Sequence, residues 1–257
     1  MSKSNQERPQ RAREKIAQQR AAEARRKRRR LWLAVTGAAI IVIAAAVGIT
    51  LAVTGGSPKA AGAAPTLAPL STLGSLAPAP SPGAPGSEGV PVPAGPALAS
   101  TATAATGQPV NGISCQANEQ TLFHIHAHLT IFVNGSPRQV PAGIGIPGAQ
   151  ATSTPNGPFI QSGTCFYWLH THAPDGIIHI ESPVQRAFTL GDFFDIWGQP
   201  LGPDRAGPAT GPVTALYNGQ VYQGNPRDIP LNAHAQIQLQ VGQPLVAPEQ
   251  ITFPNGL

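Results

Sequence analysis

Apolar and polar residues alternate along parts of the second half of the chain, and this pattern predicts β-strands. In the segment FHIHAHLTIFV, apolar side chains occupy the odd positions from Phe123 to Val133. The polar side chains between them are His124, His126, His128 and Thr130. A period of two places the two sets on opposite faces of a strand, so a half-buried strand is expected here.

Residues 233–241 alternate in the same way and predict another strand. Ala, Ile, Leu and Val would face inward, while His234 and three glutamines would face outward. Asn-Gly pairs at 134–135 and 218–219 each predict a tight turn between two strands. These signals indicate antiparallel hairpins.

One short helix is expected in this region. Thr189 can cap the segment LGDFFDIW, which places Asp192 in the first turn, where a carboxylate is favourable. Taken together, the patterns predict a mostly β fold: a small antiparallel sandwich or barrel with one short helix.

A different pattern occupies the N-terminal part of the chain. Residues 31–53 contain no charged side chain, and as a helix they would rise about 34 Å, enough to cross a hydrocarbon core of about 30 Å. The basic run ARRKRRR precedes them directly, which predicts a cytoplasmic N-terminus and an extracytoplasmic remainder. A cleaved signal peptide is the alternative, although its apolar core is usually only about 7–15 residues long.

Charge is distributed unevenly along the chain. Residues 1–30 carry twelve basic and three acidic side chains, whereas the remaining residues carry five basic and nine acidic ones. The formal charge of +5 therefore comes from the tail, which is expected to be a topology signal attracted to anionic lipid. The mildly acidic remainder gives no reason to expect nucleic acid as a partner.

Composition divides the exported part into a linker and a domain. Residues 54–108 are rich in Pro, Ala and Gly and predict a disordered tether. Residues 109–257 are long enough for one folded β domain. Its two cysteines, Cys115 and Cys165, are expected to form a disulfide outside the membrane. A copper-ligating Cys165 is the alternative, but the exported part lacks the axial Met of such sites.

Six of the seven histidines of the chain are concentrated in two runs. The second run, YWLHTHAPDGIIHIE, adds His170, His172 and His179 to the three of the first strand. As a hairpin with a four-residue loop at 173–176, it would place His170 opposite His179. A three-residue loop would shift the register, but the four-residue version keeps the polar side chains, including Glu181, on one face.

This arrangement predicts a metal site, because histidines two residues apart on a strand lie about 7 Å apart and can converge with a third from a neighbouring strand. The candidate ligands are His124, His126, His128, His170, His172 and His179, with His234 and Glu181 as further possibilities. His124 and His128 are too far apart to share one ion. Either two of the first three histidines join the hairpin, or the domain holds two ions. A polar sheet surface and a pH-sensitive cluster are the alternatives.

Imidazole-rich sites suit zinc, copper, iron or nickel, and copper or zinc is the ion expected here. Glu181 could be a ligand, could orient a histidine, or could act as a general base if the protein is an enzyme. The exported part has no Met and no C-x-x-C-H motif, which argues against a Cu(I) carrier and against covalent haem.

The motifs FHIHAHLTIFVNG, CFYWLHTHAPDGIIHIESP and FTLGDFFDIWG, together with the apolar run and the Pro/Ala tether, resemble a group of bacterial membrane-anchored proteins of unassigned function. The similarity covers residues from about Cys115 to Val241. It implies a shared exported domain and a shared site, and no particular activity.

The sequence therefore predicts a single-pass membrane protein that displays a metal-binding β domain outside the cell membrane. Capture, buffering or delivery of copper or zinc is the leading function, with the lipid bilayer and a metal-receiving envelope protein as partners. A metalloenzyme that uses a three-histidine site and a recognition module without metal are the alternatives.

Overall fold

The computed structural model of the chain describes residues 64–257. The predicted basic tail 1–30, the predicted membrane span 31–53 and the first part of the predicted linker lie outside these residues. Within the described part of the chain, no helix is long and apolar enough to cross a membrane.

The described residues form a mostly β structure. The strands are β1 (Leu67–Ala68), β2 (Cys115–Gln116), β3 (Phe123–Val133), β4 (Ser136–Arg138), β5 (Gln150–Thr154), β6 (Gly157–Ser162), β7 (Phe166–Tyr167), β8 (Leu169–His170), β9 (Ile177–Ser182), β10 (Leu201–Gly202), β11 (Arg205–Ala206), β12 (Ala209–Thr210), β13 (Val213–Tyr217), β14 (Gln220–Tyr222) and β15 (Gln236–Val241). One α-helix, α1 (Leu190–Trp197), and two 3₁₀ helices (Leu70–Leu73 and Pro226–Asp228) complete this part of the chain. The prediction of a mostly β fold with one short helix is confirmed.

The main sheet has the strand order β1-β14-β13-β15-β3-β9-β8, with β4 also paired to β3. This path is open, and smaller sheets formed by β10-β11-β12, β2-β7 and β5-β6 accompany it, consistent with a sandwich-like fold. Most neighbours are antiparallel, as predicted, but β15 pairs with β3 in parallel. The roughly 100 residues between these two strands allow either direction, which a hairpin turn does not.

Strand β3 lies at the centre of the sheet and is buried on both faces over most of its length. The prediction of a half-buried strand is therefore wrong for this part. The outward glutamines of β15 show how the second face is covered. Gln236, Gln238 and Gln240 accept hydrogen bonds from the backbone amides of Ile251, Glu249 and Val246 respectively. A coil segment near the C-terminus thus satisfies the polar face of the sheet.

Residues 64–108 also pack on the domain, which corrects the prediction of a disordered linker for this part of the range 54–108. Strand β1 pairs with β14, and the side chains of Val90 and Leu98 are buried. The amide of Leu98 donates a hydrogen bond to the carbonyl of Gln139. Proline has no backbone N–H and so needs no hydrogen-bond acceptor from a neighbouring strand. A proline-rich coil can therefore lie on the domain and bury the isolated apolar side chains between its prolines.

Helix α1 begins and ends as the sequence predicts. The Thr189 hydroxyl accepts from the Asp192 amide while the Asp192 carboxylate accepts from the Thr189 amide, which is a capping box. Gly198 ends the helix in the left-handed conformation. The apolar face of α1 joins the main core, where Phe193, Phe194 and Trp197 are fully buried.

Both Asn-Gly turns are confirmed. Asn134–Gly135 joins β3 to β4 and Asn218–Gly219 joins β13 to β14, with positive φ at all four residues. This geometry matches the right-handed twist of the paired strands.

The predicted disulfide between Cys115 and Cys165 is present, with 5.5 Å between the Cα atoms. It lies beside the short β2-β7 pair, which leads directly into the histidine hairpin. Because the Cys165 sulfur is bonded to Cys115, the alternative of a copper-ligating Cys165 is wrong.

We expect the double substitution Cys115→Ser/Cys165→Ser to lower the free energy of unfolding by about 4 kcal/mol, because the bond constrains a loop spanning 50 residues in the unfolded chain. Denaturant unfolding of the variant and the oxidised wild type measures this difference. Equal midpoints and slopes for the two proteins would contradict the expectation.

Candidate metal centre

The second histidine run forms the hairpin with the four-residue loop. His170 of β8 pairs with His179 of β9, and Leu169 pairs with Ile180. Gly176 closes the loop with φ +89, and a Cβ atom there would lie 2.3 Å from the Leu129 carbonyl oxygen. The loop therefore needs glycine at this position, where it passes close to β3.

The pairing of β3 with β9 brings the two histidine runs together. His126 lies opposite His179, and His124 lies opposite Glu181. The side chains of His124, His126, His179 and Glu181 form what we call the four-ligand group. All of them except His124 are buried.

Neighbouring ligand atoms of the four-ligand group are separated by 3.1–3.5 Å. His126 Nε2 lies 3.1 Å from both His124 Nε2 and His179 Nδ1. Glu181 Oε1 closes the ring at 3.1 Å from His124 Nε2 and 3.5 Å from His179 Nδ1. Ligands about 2.0–2.1 Å from a tetrahedral zinc ion lie about 3.3 Å apart, so the spacing fits a transition-metal site.

His170 and His172 approach each other beside His179, with their ring centroids 5.3 Å and 4.5 Å from that of His179. Their Nε2 atoms are 3.1 Å apart, and both side chains are buried. Two further sets of ligand atoms lie within 4.8 Å of one another: His170, His172 and His179 form one, and Glu119, His170 and Glu181 form the other. Five of the six predicted histidines and Glu181 therefore meet in one cluster.

Two acidic residues that were not predicted contact this cluster. Glu88 Oε1 lies 2.7 Å from His179 Nε2, and Glu119 Oε1 lies 3.5 Å from His172 Nε2. Glu88 belongs to the segment predicted to be a linker, where it is the only acidic residue. A lone carboxylate among prolines and alanines was the one available signal for it.

Glu88 has a specific effect on His179. His179 Nε2–H donates to the Glu88 carboxylate, so Nδ1 is the nitrogen that faces the four-ligand group and can bind a metal once it loses its proton. A carboxylate that orients a histidine in this way is typical of metal-ligating histidines.

Burial and neighbouring charges set the protonation of the cluster. Burial, together with His179 and His124, lowers the pKa of His126 to about 3. Burial likewise lowers the pKa of His170 well below its ordinary value and lowers that of His172. Burial alone would lower the pKa of His179, but its hydrogen bonds to Glu181 and Glu88 outweigh this and raise it to about 9. His126, His170 and His172 are therefore neutral at pH 7, the form that binds metal.

His128 and His234 lie outside these groups, contrary to the prediction for His128. On β3, His128 lies opposite Ile177, the apolar first residue of β9, and not opposite a ligand of that strand. Its Nε2–H donates instead to the Asp175 carbonyl at 2.9 Å. His234 Nε2–H donates to the Leu257 carbonyl at 2.9 Å and its ring stacks on Phe253.

A cavity of about 270 Å³ lies over the four-ligand group. Glu119 and Gln161 form part of its wall, and Phe159 stacks on the His172 ring at 4.6 Å between centroids. The volume is slightly below the roughly 300 Å³ at which small-molecule sites begin.

The site and the fold define a class: a mostly β protein with clustered histidines and glutamates that could hold a metal. Comparisons of the chain with protein-family models, with curated proteins and with solved structures find no match.

His128 generates a prediction about acid stability, because burial lowers its pKa to about 4. Between pH 6.5 and 4 the unfolded chain binds a proton at this position and the folded chain does not. Stability from this residue is therefore complete above pH 6.5 and falls by about 3 kcal/mol as the pH approaches 4.

We expect His128→Gln, which keeps a donor for the Asp175 carbonyl, to reduce this loss between pH 6.5 and 4. Denaturant unfolding at a series of pH values, with chelator present, measures it, and His234→Gln on the exposed side is the control. Parallel pH profiles for wild type and His128→Gln would contradict the assigned role.

Proposed function

We propose that this protein is a membrane-anchored, extracytoplasmic metal-binding protein that captures, buffers or delivers copper or zinc. The observation that carries the proposal is the closed ring of ligand atoms in the four-ligand group, with spacings of 3.1–3.5 Å. These spacings match the edge of a transition-metal coordination sphere.

The electrostatics of the cluster support a bound cation. The side chains of Glu88 and Glu181 are 4% and 5% exposed, and among residues 64–257 their ion-pair partners are histidines alone. Of these histidines, His179 has a pKa raised to about 9. One imidazolium does not balance two buried carboxylates, and a divalent cation supplies the remaining positive charge.

Burial of the ligands also favours metal binding over a recognition module without metal. A recognition module needs dispersed histidines and an exposed apolar patch. Here the histidines converge, and the large apolar side chains exposed within the described residues are Leu122 and Val184.

The location outside the membrane rests on the sequence. The uncharged residues 31–53 follow a basic run, which supports an anchor with a cytoplasmic N-terminus. The disulfide between Cys115 and Cys165 is typical of an oxidising compartment. The partners proposed on this basis are the lipid bilayer and an envelope protein that receives the metal, and nucleic acid is not among them.

Metal analysis of the full chain, purified without a histidine tag, tests the proposal. We expect the wild type to retain Zn²⁺ or Cu²⁺ after gel filtration and His179→Ala to retain less of it, because His179 supplies a ligand atom to the four-ligand group. His234→Ala is the matched control and should bind as the wild type does. Equal, negligible metal in wild type and His179→Ala would refute the proposal.

The raised pKa of His179 makes metal binding release a proton. Below about pH 9 this ring is protonated, so a metal that takes Nδ1 must displace the proton, and the apparent affinity rises with pH up to that value. We expect calorimetric titration with Zn²⁺ at pH 7.5, in buffers of different ionisation enthalpy, to show release of about one proton. Glu88→Gln should release less, because one of the two carboxylates that hold the proton is gone. Identical, zero release in both proteins would contradict the assignment.

The cavity over the four-ligand group favours a second candidate, a metalloenzyme. Its volume of about 270 Å³ leaves room beside the ligands for water and a small substrate. In that case the metal would activate water. Glu181 would act as a ligand rather than a base, because its Oε1 atom lies 3.1 Å from His124 Nε2, as expected for two ligands of one ion. Turnover of model esters or phosphoesters by the metal-loaded protein, lost in His126→Ala, would favour this candidate. Tight binding with transfer to a chelator and no turnover would favour metal handling.

A further inference from the structure

We propose that the cluster holds two transition-metal ions bridged by Glu181, one in the four-ligand group and one in a second set formed by His170, His172, Glu119 and the other oxygen of Glu181. This inference rests on the proposed metal-binding function and goes beyond it in number of ions, ligands and bridging group.

The tautomers of His170 and His172 indicate a cation between them. His170 Nδ1–H donates to the Tyr167 carbonyl, and His172 Nδ1–H donates to the Ile160 carbonyl. Both Nε2 atoms then carry lone pairs, and these atoms lie 3.1 Å apart in a buried setting. Two facing lone pairs repel unless a cation lies between them, and a backbone carbonyl that fixes the other ring nitrogen is typical of a metal-ligating histidine.

Glu181 provides an oxygen for this second set. Its Oε1 atom belongs to the four-ligand group, whereas Oε2 is buried, has no hydrogen-bond partner and lies 4.0 Å from His170 Nε2. A buried carboxylate oxygen without a donor is costly, and a metal ion at this point would satisfy it.

Glu119 completes the second set from the solvent side. Its Oε1 atom lies 3.5 Å from His172 Nε2, and one of its oxygens is within 4.8 Å of both His170 and Glu181. Its side chain is 39% exposed, so this ligand can move as an ion enters or leaves. The second set thus has two buried imidazoles, one buried carboxylate and one exposed carboxylate.

The two sets share no ligand other than Glu181. A carboxylate that binds one ion through each oxygen holds the pair about 3.5–4 Å apart, the separation found in two-metal sites. The ions would therefore bind as a coupled pair and not as two independent sites.

The number of zinc ions bound per chain tests this inference. The full chain is titrated with Zn²⁺, and its bound zinc is measured by elemental analysis after gel filtration. We expect two ions in the wild type and one each in His126→Ala and His172→Ala, which remove a ligand from one set only. One ion in the wild type, lost in His126→Ala, would overturn the second site and leave the proposed function intact. No ion in the wild type would overturn both.

Glu119→Gln distinguishes loss of a ligand from loss of the fold, because the exposed Glu119 side chain contributes little to the core. We expect this variant to retain one Zn²⁺ per chain with an unchanged unfolding midpoint, while the matched control Glu249→Gln retains two. Two tightly held ions in Glu119→Gln would contradict the ligand set proposed here.

Cu²⁺ loading tests the bridge itself. Two Cu²⁺ ions joined by Glu181 should couple magnetically, so the electron paramagnetic resonance signal would account for much less copper than elemental analysis finds. Glu119→Gln with one ion should give the full signal. A full signal from a wild type that holds two ions would overturn the bridged pair.

Discussion

The antiparallel register between β3 and β9 is the constraint on which the site depends. It places His126 opposite His179 and His124 opposite Glu181. Directly opposed side chains in such a pair have Cβ atoms about 5 Å apart, which allows two ring nitrogens or a nitrogen and an oxygen to meet. A slip of one residue would replace these ligands with Ile178 and Ile180 and remove the site. The apolar face of the same strands resists that slip, because it would move isoleucines out of the core.

The cluster is chemically unusual because the polar face that carries it is covered. Coil segments from both ends of the described chain lie over the sheet, and the one near the N-terminus brings Glu88 to His179. Covering the face lowers the local dielectric, which keeps most of the imidazoles neutral and strengthens the attraction between carboxylates and a cation. A solvated sheet face with the same histidines would bind metal more weakly, because water would compete for every ligand.

The ligands differ in how firmly they are held. His170, His172 and His179 are buried, and each uses one ring nitrogen in a hydrogen bond to a backbone carbonyl or a carboxylate. His124 and Glu119 are the exposed members. Ligands fixed by hydrogen bonds favour affinity, whereas exposed ligands at the open side are accessible to solvent, and both properties agree with the proposed capture and delivery of metal.

Local patterns in the sequence determined the strand β3, both Asn-Gly turns, the capped helix, the disulfide and the pairing of His170 with His179, because each depends on residues close in the chain or on a single cysteine pair. The tertiary structure decided the rest. The parallel pairing of β15 with β3, the packing of residues 64–108 and the contacts of Glu88 and Glu119 join segments far apart in sequence, which periodicity cannot relate. It also separated His128 from its neighbours on the same strand. β9 places Ile177 opposite His128, whereas it places His179 opposite His126, and the His128 ring bonds to the Asp175 carbonyl instead.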